Sequence, residues 1–243
     1  MNVKDAQRDW DAFGRSDPLW AILTEPGKRG KWKSEEFFQT GVREIAGLLQ
    51  YLDSLGVRLK RGRALDFGCG VGRLTQALCA HFEEVHGVDV APSMIELANH
   101  YNKHGGRCMY HVNDRPALHV FTDASFDLVY SSITLQHIEP KDSIEYIREF
   151  AKVLVPGGVL VFQLPAGPRN HLKALAKRGA AKALLRLFRA VGYVTRPIMV
   201  MHGVDRTEVL NLLETARLKI IDVSENTDAG QDWISYRYVA IKP

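Results

Sequence analysis

The chain has 243 residues, 46% hydrophobic and 25% charged, with a formal net charge of +4. This is an ordinary globular mix for one domain, and so mild a charge gives no reason to invoke nucleic acid. Three widely spaced cysteines without a C-x-x-C pair exclude a disulfide framework and a zinc module, and the lack of a secretion signal, or of an apolar run near the roughly 20 residues that span a bilayer, points to the cytoplasm.

Residues 1–33 carry three of the four tryptophans, Trp10, Trp20 and Trp32, among charges and prolines. Disordered chains lack such aromatics, so short helices packed over the remainder are expected. Residues 34–55 read as an amphipathic helix with Ser34 as its cap. Phe37, Phe38, Val42, Ile45, Leu48, Leu49 and Leu52 form its apolar stripe, and Gly41 and Gly47 weaken it. Strands and helices then alternate: strand 63–68, helix 72–82, strand 84–90, helix 93–104, strands 107–114 and 126–133, helix 141–154, a turn at 156–158 and strand 159–165. The rhythm breaks over 169–196. It resumes with a helix at 207–216 and two strands, 218–226 and 233–242, joined by a turn around Asp228 and Gly230.

Such alternation builds βαβ units. The expected fold is α/β: a Rossmann-like, doubly wound, mostly parallel seven-stranded sheet with a C-terminal antiparallel hairpin, an N-terminal helical cap and an inserted lid helix. A single domain would contain the cap and first helix (1–63), a binding core (64–165), the lid insertion (166–204) and the last helix and hairpin (205–243).

The stretch ALDFGCGVG at 64–72 concentrates the functional signal. Glycine at every second position is a poor continuation of a strand. At the carboxyl end of a strand in an open α/β sheet it lets a ligand lie on bare backbone. The dinucleotide pattern G-x-G-x-x-G fails here, since its last position would fall on Arg73 or Thr75, and G-x-x-x-x-G-K-[ST] is absent. Asp66 precedes the first glycine and would repel a diphosphate. It suits a ligand with a cationic centre. Asp89, at the tip of the next strand, stands where an acid can accept both hydroxyls of a ribose.

Four stretches in order, ALDFGCGVGRLTQAL, VHGVDVAPSMIELA, FDLVYSSITLQHIEP and LVPGGVLVFQLP, cover residues 64–165. Through them the chain resembles the class I S-adenosylmethionine-dependent methyltransferases of the small-molecule branch. The resemblance implies S-adenosyl-L-methionine as cofactor. It places Asp66, Gly68, Cys69, Gly70 and Gly72 against the methionine part and Asp89 at the ribose. Val90 and Met94 would flank the adenine, and Asn113 or Asp114 would meet its amino group. Ser131 would lie near the methionine amine, with Trp32 and Phe38 closing over the cofactor. The implied reaction moves a methyl group to an oxygen, less readily a nitrogen, of a small acceptor that is anionic or carrier-linked in one reading. A cofactor-binding, non-catalytic partner of another enzyme is the alternative.

His137 follows the fourth strand and His202 lies in IMVMHGV; either is a candidate base for a hydroxyl acceptor, and either is equally readable as a packing histidine. The remaining histidines are expected at the surface. The carboxylate run of the catechol-type members is missing, so no metal is expected. Residues 169–204 hold no Asp or Glu, and Lys173, Lys177, Arg178, Lys182, Arg186 and Arg189 alternate with apolar residues near helical spacing. Three readings compete for this stretch: a solvated lid, recognition of an anionic acceptor, and peripheral contact with an anionic membrane through 169–196.

Overall fold

Strand β1 (Arg63–Phe67) is buried along four of its five residues. Burial without alternation belongs to a strand covered on both faces. The computed structural model, which describes residues 3–170, 197 and 199–243, shows how it is covered. The helices are α1 (Val3–Ser16), α2 (Pro18–Ile22), α3 (Ser34–Ser54), α4 (Arg73–Leu78), α5 (Pro92–Tyr101), α6 (Pro140–Val153) and α7 (Arg206–Thr215). The further strands are β2 (Glu84–Asp89), β3 (Cys108–Val112), β4 (Phe126–Ser131), β5 (Leu154–Pro168), β6 (Lys219–Asn226) and β7 (Trp233–Ile241).

The seven strands form one sheet in the order β3-β2-β1-β4-β5-β7-β6. Only β7 runs against its neighbours, β5 and β6. The expected α/β class, parallel sheet and terminal hairpin are present. One face packs Phe126, Leu160 and Tyr238 against Ile147 and Phe150 of α6 and Val209 and Leu213 of α7. The other packs Val85, Leu128 and Val161 against Ile45, Leu48 and Leu52 of α3 and Leu74 and Leu78 of α4. A third cluster joins the N-terminal helices to α3 and α5 through Phe13, Leu19, Phe37, Val71 and Met94. The cap is therefore continuous with the core beside the glycine loop.

Four local expectations need correction. Ser34 is the first helical residue; Lys33 takes the capping position without a side-chain bond, and Glu35 and Glu36 place negative charge in the first turn, where the helix dipole favours it. Val42 is 49% exposed, while Gly41 is buried in its stead. Residues 156–158 lie inside β5 as an irregularity in its register with β4, with Gly157 at φ +79°, so the Pro-Gly-Gly signal marks a bulge, not a turn before the strand. His86 is buried instead of exposed. It stacks on His111, accepts or donates at 2.9 Å to that ring and sits edge-on to Phe121 and Phe126. Among the described residues no helix is long and apolar enough to cross a membrane. The proposed lid residues at 171–196 lie outside the described residues.

Gly41 shows why that helix carries a glycine: a Cβ there would meet the Arg73 carbonyl oxygen at 2.4 Å, so α3 and α4 touch backbone to backbone. A Cβ at Gly47 would meet nothing within 4 Å. Urea denaturation should therefore separate them. Gly41→Val is expected to cost about 1–3 kcal/mol through overpacking, and Gly47→Ala to gain about 0.5–1 kcal/mol from helix propensity.

Candidate functional site

The strand order reverses between β1 and β4, and both strands end at the same edge of the sheet. That switch point is where open α/β sheets take ligands. The chain leaving β1 turns through Gly68 at φ +78° and Gly70 at φ +52°, values that side chains rarely tolerate. The N–H groups of Gly68 and Cys69 donate to the Val88 carbonyl at 2.8 and 2.9 Å, which pins the loop to the end of β2. The Gly70 N–H donates to Asp89 Oδ2 and the Ala91 N–H to Asp89 Oδ1, both at 2.9 Å. Each carboxylate oxygen keeps a lone pair for a further donor. Burial raises the Asp89 carboxyl above its ordinary value, and the N–H groups of Ala91, Gly70 and Val90 pull it back.

A cavity of about 1090 Å³, its open mouth included, lies on this loop. Of the expected residues, Gly68, Cys69, Gly70, Asp89, Val90, Met94, Asn113 and His137 line it. Of Asn113 and Asp114, Asn113 is the one that lines the cavity: it is buried, with its amide donating to the Arg115 carbonyl at 2.9 Å and to the Tyr146 hydroxyl at 3.2 Å, whereas the Asp114 side chain is 64% exposed beside Arg115. The Cys69 thiol is pushed up by burial and by the neighbouring Asp89 and Asp66, so it is a small neutral wall.

The other expected residues stand behind this wall. Asp66 is buried and accepts from the Thr75 hydroxyl at 2.6 Å. Gly72 caps α4, and its space is limited by the Tyr110 hydroxyl, which a Cβ would meet at 2.4 Å. Ser131 donates to the Phe67 carbonyl at 3.1 Å, tying β4 to β1. Trp32 donates to the Leu23 carbonyl at 3.1 Å and packs edge-on against Phe37, and Phe38 packs against Tyr101. Both belong to the apolar cluster under the cap and not to the cavity lining.

Trp10, Arg73 and Ile133 are among the lining residues that were not singled out from sequence. Trp10 of α1 crosses the cavity and meets the His137 ring edge-on at 5.2 Å. Helix α1 is held there by Gln7, which donates to the Val90 carbonyl at 3.0 Å, and by Asp11, which accepts from the Ser93 N–H at 2.9 Å. The tryptophan-rich start of the chain was the available signal. Arg73 also lines the cavity, although it is 3% exposed. It pairs with Glu44 at 2.7 Å, and its Nε is buried without a partner. Ile133 lies at φ +50°, an outlier for a β-branched residue, and its N–H is held by the Gln163 side-chain oxygen at 3.1 Å.

A second cavity opens beside the first and shares Ala21, Ile22, Ser132, Ile133 and His137 with it. Its floor is β5 and β7, and Met199 and Met201 of the returning chain line it. His137 Nδ1 lies 2.8 Å from the Val200 carbonyl and must carry the proton of that bond, so Nε2 is bare in the neutral ring. Gln136 Nε2 stands 3.2 Å from it. Gln163 links the Gln136 amide to Ser235 at 3.2 and 2.6 Å, so a buried polar chain runs from β7 to the histidine. Burial lowers His137 to about 4, with nearby His202 adding to the effect and the Val200 carbonyl opposing it. His202 lines neither cavity; its N–H donates to the Gln136 carbonyl at 2.7 Å. Among the described residues no group of three or more His, Cys, Asp and Glu gathers as metal ligands.

Residues 64–158 match the methyltransferase domain family. Over 225 residues the chain is 30% identical to a ubiquinone biosynthesis O-methyltransferase of Xanthomonas campestris, covering 90% of this chain and 79% of that one. The chain belongs to the S-adenosylmethionine-dependent methyltransferases. A malonyl-[acyl-carrier protein] O-methyltransferase of Halorhodospira halophila is 36% identical over 123 residues, covering 49% of this chain and 40% of that protein. The fold matches the magnesium protoporphyrin IX methyltransferase of Synechocystis PCC 6803, solved with bound SAH, at a TM-score of 0.64 and 17% identity over 98% of both chains. The first cavity of this methyltransferase fits the family's cofactor. It offers two carboxylate acceptors at Asp89, an apolar slot at Val90 and Met94, bare backbone at Gly68 and Gly70, and the unpartnered Arg73 Nε.

Asp66 supplies a test of the buried electrostatics. Burial raises its carboxyl to about 7, against the Thr75 hydrogen bond and the Arg73 charge, which lower it. The folded state thus holds a proton that the unfolded chain releases near 4. Stability from this group is complete below about pH 4 and is lost as pH rises toward about 7. Asp66→Asn keeps an acceptor for Thr75. Relative to wild type it should be near neutral at acid pH and more stable at pH 8 by roughly 2–4 kcal/mol, as read from denaturant midpoints at each pH.

Proposed function

We propose that this methyltransferase moves the methyl group to an oxygen of a small acceptor held in the second cavity, with His137 receiving the acceptor's proton. The observation that carries this reading is the shared wall of the two cavities at Ser132, Ile133 and His137. A cofactor on one side and an acceptor on the other would meet there. The relatives named for O-methyl transfer, to a ubiquinone precursor pathway and to a carrier-linked malonyl group, support oxygen ahead of nitrogen. They also keep both a free and a carrier-linked acceptor in view.

Bound S-adenosylmethionine supplies a methyl group on a cationic sulfur, an electrophile that needs no further activation. The protein's task is therefore placement, which is worth up to roughly 7–11 kcal/mol when reacting atoms are aligned. Asp89 would hold the ribose, Val90 and Met94 the adenine, and Gly68 to Gly70 with Arg73 the methionine portion. Trp10 and Ile22 close the junction to water. The strained Ile133 and its neighbour Ser132 form a fixed ledge between the cavities, braced by Gln163. His137 is neutral above about pH 5, and its bare Nε2 can accept a hydroxyl proton once the Gln136 amide yields to that stronger donor. The return of chain at 199–204 holds the other ring nitrogen and so fixes the tautomer. Its Val204 N–H is bound to the Pro165 carbonyl at 2.9 Å.

The cationic stretch contributes only Arg169 and Asn170 to the described residues. Arg169 is committed to Glu225 of β6, so it holds the hairpin. A role in membrane contact or acceptor recognition rests on residues 171–196 and is carried by their composition alone.

His137→Gln tests the proton-transfer role. The expected outcome is a fall in kcat of about 10²–10⁴ with binding of the demethylated cofactor unchanged. Wild-type activity on a hydroxyl acceptor should show no ionisation of His137 between about pH 6 and 8, since the ring is already neutral there. Unchanged kcat in the variant would assign the histidine to packing.

A further inference from the structure

The floor of the second cavity is a row of cross-strand neighbours. Gln163 of β5 faces Arg237 of β7, which faces Ser224 of β6. Residues paired in this way lie on one face of the sheet. Gln163 is committed to Gln136, Ser235 and the Ile133 N–H. Arg237 is not committed. Its guanidinium lies over the Tyr51 ring at 3.9 Å, and that ring is fixed by its hydroxyl on Asp222 and Ser224. Its Nε is buried without a hydrogen-bond partner. Among the described residues no carboxylate closes an ion pair with it.

The acids around the cavity do not fill that role. Glu44 is held by Arg73 at 2.7 Å and by the Tyr130 hydroxyl at 2.9 Å. Asp228 and Glu25 are on exposed loops at the rim; Asp228 lies near enough for the Arg237 charge to lower its carboxyl, against the rise from burial and from Glu44, but it closes no ion pair with that arginine. The walls between Arg237 and the His137 junction include Leu48, Ile22 and Met199. A cation held over an aromatic ring, with a buried donor left over, suits a planar or tetrahedral oxyanion.

We propose that Arg237 anchors an oxyanion group, carboxylate or phosphate, carried by the methyl acceptor at the end remote from the methylated oxygen, with an apolar body lying between. This inference rests on the reading of the second cavity as the acceptor site. The acceptor is thus an organic acid or a phosphorylated molecule whose charge is read one strand beyond Gln163. A neutral acceptor would leave the buried Arg237 donor without a partner, which disfavours it.

The test uses benzoate, phenyl phosphate and neutral benzamide as probes, titrated by calorimetry into the protein loaded with S-adenosylhomocysteine. At least one anion is expected to bind, at least about tenfold more tightly than benzamide, and to lose about tenfold or more in Arg237→Gln. Arg237→Lys should retain part of the preference, and Arg43→Gln, an exposed cation at the rim, should leave it unchanged. The stronger of the two anions identifies carboxylate or phosphate as the preferred group. Anions that bind no better than benzamide, or that bind Arg237→Gln as well as wild type, overturn the proposal. S-adenosylhomocysteine affinity in each variant reports folding and the first cavity separately. Its retention with no anion preference sinks the anchor alone, and its absence in wild type sinks the reading of the site.

Discussion

The carboxylate of Asp89 is the constraint around which the site is arranged. One oxygen holds the glycine loop through Gly70 and the other holds the start of α5 through Ala91. Its own backbone carbonyl accepts from Asn113 at 2.8 Å, so the same residue also orders the end of β3. Helix α1 then docks on the adjoining positions, Val90 and Ser93. One residue at a strand tip therefore sets the loop, the apolar slot and the cap that covers both. A loop of this kind keeps its shape before any ligand arrives, and preorganisation of that sort lowers the cost of binding.

The local electrostatics favour a cationic ligand. Asp66 is buried and Asp89 half-buried, both carboxyls are pushed toward the neutral form by desolvation, and the Asp89 charge adds to the rise at Asp66. Two carboxyls in a low-dielectric wall are relieved either by protons or by a positive charge. A sulfonium meets that need, and a diphosphate would worsen it. The glycine spacing, which departs from the dinucleotide pattern at its last position, points the same way. On the acceptor side the balance is reversed. Glu44 there is paired with Arg73, the other acids are at the rim, and Arg237 over the Tyr51 ring is left without an ion pair among the described residues. On the proposed reading the two cavities differ in the charge they prefer, cationic for the cofactor and anionic for the acceptor.

Much of this was legible in the sequence because it depends on short-range pattern. The glycine loop, the acid at the end of β2 and the alternation of strands and helices are each set within a few residues. The parts that were not legible depend on contacts between distant positions. Trp10 reaches His137 across 127 residues, and the chain from Ser235 through Gln163 to Gln136 joins three separate elements. No single-sequence period encodes such meetings. Gly41 read as a flaw in a helix, and only the approach of Arg73 shows it as the reason the helices touch. His86 read as a surface histidine because nothing in EVHGVD announces the His111 ring on the next strand. The Pro-Gly-Gly at 156–158 carries turn chemistry, yet it serves as a bulge because β4 continues to pair on both sides of it.

The most direct test of the account is calorimetric titration of S-adenosylhomocysteine into wild type and Asp89→Ala, with thermal unfolding of both to confirm the fold. The account predicts binding to wild type and a loss of roughly 2 kcal/mol or more in the variant, the size of a lost charge-assisted pair of hydrogen bonds. Equal affinity in a folded Asp89→Ala, or no binding to wild type, would contradict it.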